Sequence, residues 1–408
     1  MSFITANQFR FLRNPSFDRA AAYDENGRAE ILSEAAFRVA RDEIASWDGY
    51  RETPLRGLPN LAKALVLKQV LLKDEGERFG LGSFKALGGA YAVFRFLQRE
   101  LKRRTGVNIK SEDLVSGAFA DATSDITVTC ATDGNHGRSV AWGAKRFGCR
   151  CVIYVHASVS DARCEAIAAC GAEVRRVAGN YDDAVRQAAS DASEFGWGVI
   201  SDTSYPGYVD VPRDVMQGYS LMVEEALLRF PDRPTHVFVQ GGVGALAAAA
   251  CSHLWQRYGS QRPTFVVVEP AKADCLFQSA AAGKPTVVHG ELDTIMAGLA
   301  CGEVSLLAWR ILQPGADAFM TITDEAAAEA MRLLADATFG DEPVVAGESA
   351  VAGLAALMLM AEDPGCRASL GLSADSTVLL FGTEGATDPA MYRHIVGRDA
   401  DEVKAAAA

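Results

Sequence analysis

Scanned for apolar and polar positions, the chain breaks into short apolar runs of strand length separated by amphipathic stretches. The runs ITVTCAT, CRCVIYVH, AEVRRV, WGVIS, THVFVQ, TFVVVEP and TVLLFGT are rich in β-branched residues and predict strands buried on both faces. Between them lie GRSVAWGAKRFG, DARCEAIAACG and YDDAVRQAASDASEFG, which predict helices. Val140, Ala144 and Phe147 share one face of the first of these. Each stretch ends in a glycine, the residue that most easily takes the left-handed backbone closing a helix. The alternation predicts an α/β fold of open, mostly parallel sheets covered by helices. Even spacing of the units over 111–214 predicts a small domain there. Residues 1–110 and 215–408 are then left for a discontinuous large domain, with Lys85 in one of its helices.

Composition narrows the class. A chain of 408 residues with 49% hydrophobic and 23% charged positions is ordinary for a globular enzyme of two lobes. The formal charge of −12 argues against a sequence-independent grip on nucleic acid. MSFITANQFRFLRNPSFDRA has no continuous apolar segment behind a basic one, so no secretory signal is expected. SAVAGLAALMLMA is shorter than a membrane span and is expected to be a buried helix. Nine cysteines, an odd number without a CxxC pair, predict a reducing cytoplasm and no disulfide framework. No Cys/His spacing predicts a structural metal.

In open α/β sheets, ligands bind beyond the carboxyl ends of the strands, so the residues there carry the candidate chemistry. After ITVTCA comes TDGNHG, where Asp133 or Asn135 could cap the following helix and His136 could be a bonded turn histidine. After THVFV comes QGGVGALAAAA. Gly241, Gly242, Val243 and Gly244 before an alanine-rich helix make a cradle for an anion, although tight packing alone also asks for glycine. The run fits neither a P-loop nor the dinucleotide fingerprint. After TVLLF comes GTEGATD, with Thr383 at the turn. Earlier, RFGLGSFKALGGAYA carries Lys85, alone between Phe84 and a small apolar run. A lysine, an Asn-bearing turn, a glycine cradle and a late hydroxyl together suit pyridoxal 5′-phosphate (PLP). Its aldehyde takes a lysine amine, its phosphate a backbone cradle, and its ring oxygen and nitrogen one partner each.

The segments YRETPL, RFGLGSFKALGGAYA, TDGNHGRSVAW, NYDDAVR, EPAKADCLFQS, TIMAGLACGE, GESAVAGL and TEGATDPAMYR resemble those of the fold type II PLP enzymes, the tryptophan synthase β-like family. The likeness is strongest to the branch that removes ammonia from 2,3-diaminopropionate. It implies two mostly parallel sheets and a cofactor between a large and a small domain. It makes Lys85 the lysine that bonds PLP, Asn135 the partner of its 3-oxygen, Gly241 to Gly244 the phosphate loop, Thr383 the partner of the ring nitrogen, and Phe84 a neighbour of the ring. Asp133 and Asp202 are implied to be the bases, for the D- and L-enantiomers respectively.

Ser83, Tyr205 and Glu348 are candidates for contact with the amino-acid substrate. The chain departs from the family pattern at Gly82-Ser83, Gly241, Gly382 and SYPGY, and Tyr205 and Pro206 would reshape the substrate end. The implied activity is elimination of ammonia, giving aminoacrylate and then pyruvate with a second ammonia. The alternatives are a dehydratase or lyase of serine, threonine or 3-hydroxyaspartate, and a PLP-binding amino-acid sensor without turnover. A cytoplasmic homodimer without nucleic-acid or membrane partners is expected.

Overall fold

The computed structural model describes residues 4, 5, 8–132, 134–179, 181–230 and 232–406. Internal contacts divide the chain into two units, one of Met1–Glu34, Glu52–Ser83 and Met222–Ala408, the other of Ala35–Arg51 and Phe84–Leu221.

In the first unit seven strands form one sheet: β1 (Phe9–Arg13), β2 (Leu55–Gly57), β3 (Gln69–Asp74), β8 (His236–Gln240), β9 (Thr264–Pro270), β10 (Ala318–Ile322) and β11 (Thr377–Gly382), in the order β1-β10-β9-β8-β11-β3-β2. The five central strands run parallel, and β1 and β2 close the two edges antiparallel. Every residue of β8, β10 and β11 is buried, which is why those runs are apolar throughout instead of alternating. The SAVAGLAALMLMA segment forms the helix Ala352–Glu362, buried from Ala352 to Met360 in the core with Val70, Leu72, Phe238, Val266 and Leu380.

One polar network is locked inside this unit. Lys73 Nζ lies 2.6 Å from Glu225 Oε2, and Arg78 bonds Glu75 and Glu225, all four side chains being 2% exposed or less. Thr53 joins the same carboxylates. The network fastens the YRETPL and RFGLGS segments, and with them the approach to Lys85. Breaking a buried network of this kind typically costs several kcal/mol, about 3–5, because the remaining charges stay buried.

In the second unit β4 (Thr127–Ala131), β5 (Arg150–His156), β6 (Glu173–Val177) and β7 (Gly198–Val199) form a parallel sheet in the order β6-β5-β4-β7. Helices Asn135–Phe147 and Asp161–Ala169 cover the predicted amphipathic stretches, and Gly148 and Gly171 follow them with φ of 77° and 94°. Helix Lys85–Thr105 also belongs here, whereas the sequence pattern draws the small domain over 111–214 and leaves that helix outside it. The reason is close helix packing. A Cβ on Gly143 would come within 2.8 Å of Ala90 Cα, and one on Gly89 within 1.9 Å of Ser139 Oγ. The small residues of KALGGAYA let helices Lys85–Thr105 and Asn135–Phe147 approach to near backbone contact. Among the described residues no helix is long and apolar enough to cross a membrane.

Candidate active site

Lys85 is the first residue of its helix, behind the N-cap Phe84, and its Nζ lies 2.8 Å from Asp202 Oδ2. Their side chains are 17% and 16% exposed, so the pair is sheltered yet reachable by a small solute. The rings of Phe84 and Tyr219 pack with centroids 4.6 Å apart, and Lys85 Nζ stands 5.4 Å from one and 5.6 Å from the other. Burial works to raise the Asp202 pKa, but the Lys85 ammonium beside it overrides that and holds the carboxyl far below the usual range. Asp202 is therefore a carboxylate for as long as Lys85 stays charged.

The local fold explains how Asp202 is aimed. It follows β7, where Ile200 N–H donates to Thr129 O at 2.8 Å. Tyr208 clamps the turn, its hydroxyl donating to Val199 O at 2.8 Å and accepting from Ser201 N–H at 2.9 Å. Tyr205 stacks on Tyr208 at 4.9 Å with its planes 16° apart, but is 52% exposed. Of the two SYPGY tyrosines, Tyr208 holds the turn and Tyr205 faces solvent. Sequence reasoning singled out only Tyr205, because nothing in the spacing marks which ring turns inward.

The TDGNHG turn after β4 is organised by Thr132, whose Oγ1 accepts N–H groups from Gly134 at 3.0 Å and Gly137 at 3.1 Å. A Cβ at Gly137 would meet Thr132 Cγ2 at 2.3 Å, so only glycine fits there. Asn135 is half-buried and opens the helix Asn135–Phe147. Asp133 lies outside the described residues. His136 is buried and its Nε2 lies 2.8 Å from Ile200 O; a carbonyl only accepts, so Nε2 carries the proton. Burial lowers the His136 pKa, which keeps the ring neutral at neutral pH. His136 thus ties the TDGNHG helix to the strand end that leads into Asp202, as a bonded turn histidine would.

The first unit holds the other candidates. After β8, Gly242 and Gly244 take φ of 63° and 96°, and helix Ala245–Tyr258 begins directly after them. A Cβ on Gly241 would sit 2.6 Å from Glu269 Cγ. The loop is therefore bare backbone at a helix N-terminus, the feature that binds a phosphate. Glu269 beneath it is fully buried, and burial raises its pKa to about 8, although the N–H groups of Leu276 and Phe277 oppose the rise. Gln240 ties the loop to the end of β11, donating to Ala350 O and Phe381 O at 2.7 Å each.

Thr383, buried, follows that strand end. Glu384 bridges to Ser83, and its carboxylate accepts from Ser349 N–H at 3.1 Å, which brings Ser83, Thr383 and the GES segment with buried Glu348 together. Glu269, Gln240, Thr132 and Tyr208 were not singled out from the sequence. Each acts by holding a loop, and no motif announces that.

The bare-backbone glycine loop and the buried Thr383 hydroxyl of the first unit, and the sheltered Lys85 amine of the second, are each groups of the kind that PLP needs from a protein. Among the described residues no cluster of three or more His, Cys, Asp or Glu could hold a metal ion.

Comparison with known proteins shows the family. Residues 46–381 match the family model described as pyridoxal-phosphate dependent enzyme. The chain is 38% identical over 372 residues to diaminopropionate ammonia-lyase of Escherichia coli K12, covering 90% of this chain and 92% of that protein. The crystal structure of the holo Escherichia coli diaminopropionate ammonia lyase superposes with a TM-score of 0.87 at 36% identity, over 96% of this chain and 97% of that one. The same enzyme in complex with an aminoacrylate-PLP azomethine reaction intermediate gives a TM-score of 0.86 at 35% identity, over 96% of this chain and 98% of that one.

Proposed function

The chain belongs to the pyridoxal-phosphate dependent enzymes, and from that premise we propose that it eliminates ammonia from 2,3-diaminopropionate. The product, 2-aminoacrylate, takes up water on release and becomes pyruvate and a second ammonia. The likeness to the Escherichia coli enzyme supports the substrate. The observation that carries the chemistry is the Lys85–Asp202 pair at 2.8 Å.

In this reading Lys85 would bond the aldehyde carbon of PLP, and the N–H groups of Gly241, Gly242, Val243 and Gly244 would hold its phosphate. Asn135 would serve the ring oxygen, Thr383 the ring nitrogen, and Phe84 would pack beside the ring. When bound, the cofactor makes the substrate Cα–H acidic by delocalising the electron pair left behind. The side chains of the protein then handle protons and charge. Thr383, a neutral hydroxyl, would leave the ring nitrogen largely unprotonated, which would favour elimination over amino transfer.

Asp202 has two tasks. Its carboxylate attracts the 3-ammonium of the substrate, a charge that serine and threonine lack. That ammonium departs as ammonia without needing an acid, whereas an unprotonated amine would need one. Asp202 also accepts the Cα proton of one enantiomer, with Asp133 serving the other. Its base strength depends on Lys85: once that amine gives up its charge, burial raises the carboxyl pKa and makes it a stronger base. Ser83, Tyr205 and Glu348 contact the amino acid. A cytoplasmic homodimer completes the reading, in keeping with nine free thiols.

The test is chemical trapping. Borohydride reduction of the PLP-loaded protein should leave the cofactor on the peptide carrying Lys85, and on no other. Turnover should release two ammonia per pyruvate. Label on another lysine, or a one-to-one ratio, would remove this assignment.

A further inference from the structure

Glu269 underlies the glycine loop, and the proposed mechanism gives it no task. It stands near the end of β9 with no exposed surface. Gly241 N–H donates to Val268 O at 2.8 Å, which seats the loop on that strand end, and a Cβ on Gly241 would come within 2.6 Å of Glu269 Cγ. The carboxyl oxygens accept the N–H groups of Leu276 at 2.9 Å and Phe277 at 2.7 Å, in the first turn of helix Cys275–Ala282. The Cys275 thiol reaches both Gly242 O at 3.5 Å and Glu269 Oε1 at 3.8 Å, so it touches the loop and the acid together. Among the described residues no lysine or arginine forms an ion pair with Glu269.

Asp202 keeps its charge because Lys85 lies 2.8 Å away. Glu269 has two amide donors instead of a cation, and they do not offset its loss of hydration, so the carboxyl stays protonated up to about pH 8. The titratable groups facing it do not reverse this. Asp274 is paired with Arg10 at 2.7 Å and bonded by Gln278 at 2.7 Å, and its charge raises the Glu269 pKa further. Burial keeps the Cys275 thiol protonated well beyond its usual range. Cys301 approaches the loop from another side, its Sγ 3.7 Å from where a Cβ on Gly242 would stand. On β10 the register partner of Glu269 is the neutral Thr321. Resting on the reading of Gly241 to Gly244 as the phosphate loop, PLP would bring close to two negative charges onto the backbone that this acid underlies. A carboxylate there would oppose them. A neutral carboxyl would not, and its two oxygens still accept from both amides, which a glutamine cannot do.

We propose that Glu269 is a positioning residue of the phosphate loop whose carboxyl must carry a proton for PLP to bind, so that loading of the protein and protonation of this acid are one linked event. A proton on Oε1 has the Cys275 sulfur, a weak acceptor, within reach. Phosphate on the loop raises the Glu269 pKa further. The reciprocal effect is an affinity for PLP that is full below about pH 8 and falls above it.

The test titrates PLP into the full chain, wild type and Glu269→Gln, from about pH 6.5 to about pH 9.5, with binding read by fluorescence quenching. PLP and Lys85 titrate over that range too, but alike in both proteins, so the ratio of the two Kd values isolates residue 269. The ratio should be level below about pH 7.5, and wild type should weaken relative to Glu269→Gln at least about tenfold by about pH 9.5. A ratio that stays within about twofold across the range overturns the proposal. Should Glu269→Gln not fold, the second measurement is calorimetry of inorganic phosphate binding to Cys301→Ser, which lacks the other thiol near the loop. In buffers of different ionisation heat at about pH 8.5, uptake of about half a proton or more per phosphate is expected, and no uptake overturns the proposal. Pyridoxal, which has no phosphate, separates this inference from the reading it rests on. If it binds wild type as tightly as PLP, the glycine loop holds no phosphate and both fall.

Discussion

Removing the Lys85–Asp202 pair one partner at a time measures what the site invests in it. At 2.8 Å and an effective dielectric of 20, the attraction is about 6 kcal/mol before desolvation. Both side chains are about one-sixth exposed, so burial takes back much of that, and a charge-assisted hydrogen bond in such a place nets about 2 kcal/mol. The perturbations are Lys85→Met, Asp202→Asn and the double variant, each without cofactor, unfolded in urea at pH 7. The coupling energy of this cycle should be about 2 kcal/mol.

Its sign with pH follows from the depressed Asp202 pKa. The stabilisation is fully present above the unfolded carboxyl value near 4 and is lost only as pH falls through the folded value below it. Coupling should therefore be flat from about pH 5 to 8 and fade in acid. A coupling below about 0.5 kcal/mol at pH 7, with all variants folded, would mean that the pair is an ordinary surface contact. The reasoning about Asp202 as a lysine-controlled base would then fail.

Further outcomes follow from neighbouring contacts. Gly244→Ala puts a side chain at φ of 96° with Ala308 Cβ at 3.1 Å, and should cost about 1–2 kcal/mol of stability and weaken PLP binding at least tenfold, read by fluorescence quenching. Tyr208→Phe strips the bonds to Val199 O and Ser201 N–H. It should lower stability by about 1–3 kcal/mol and cut kcat for the enantiomer handled by Asp202 more than for the other; equal losses would argue against a clamp on Asp202. Glu269, with its pKa raised to about 8, favours the folded state when protonated. Stability in urea should therefore decline as pH rises from about 4.5 to 8, and Glu269→Gln should flatten that slope.

Three of the five central parallel strands, β8, β9 and β11, were legible because burial on both faces makes them apolar without interruption, as in THVFVQ and TVLLFGT. FRFLR and LRG carry arginines at the sheet edges, so their patterns read as polar surface, and LRG is too short to show any period. QVLLKD and AFMTI escaped for another reason, since short apolar runs look alike in strands and helices. The assignment of helix Lys85–Thr105 to the second unit was hidden because it depends on Gly89 and Gly143 facing other helices, a three-dimensional fact. At the site, Lys85, Asn135, the glycine loop and Thr383 could be proposed from sequence because together they suit PLP and lie in segments that resemble the fold type II enzymes. Thr132, Tyr208, Gln240 and Glu269 could not. They bond backbone atoms of distant segments, and any polar residue in a turn looks the same until the chain is folded.

The most direct test of the central claim is the release of pyruvate and ammonia by the PLP-loaded protein from D- and L-2,3-diaminopropionate, set beside L-serine, L-threonine and 3-hydroxyaspartate. The account predicts turnover of both diaminopropionate enantiomers, with kcat/KM at least a hundredfold above the hydroxy acids, about 2.7 kcal/mol for recognition of the extra ammonium. Faster release from a hydroxy acid would contradict it. Lys85 would then serve a dehydratase, and the exposed Tyr205 and its turn would be the first place to seek the reason.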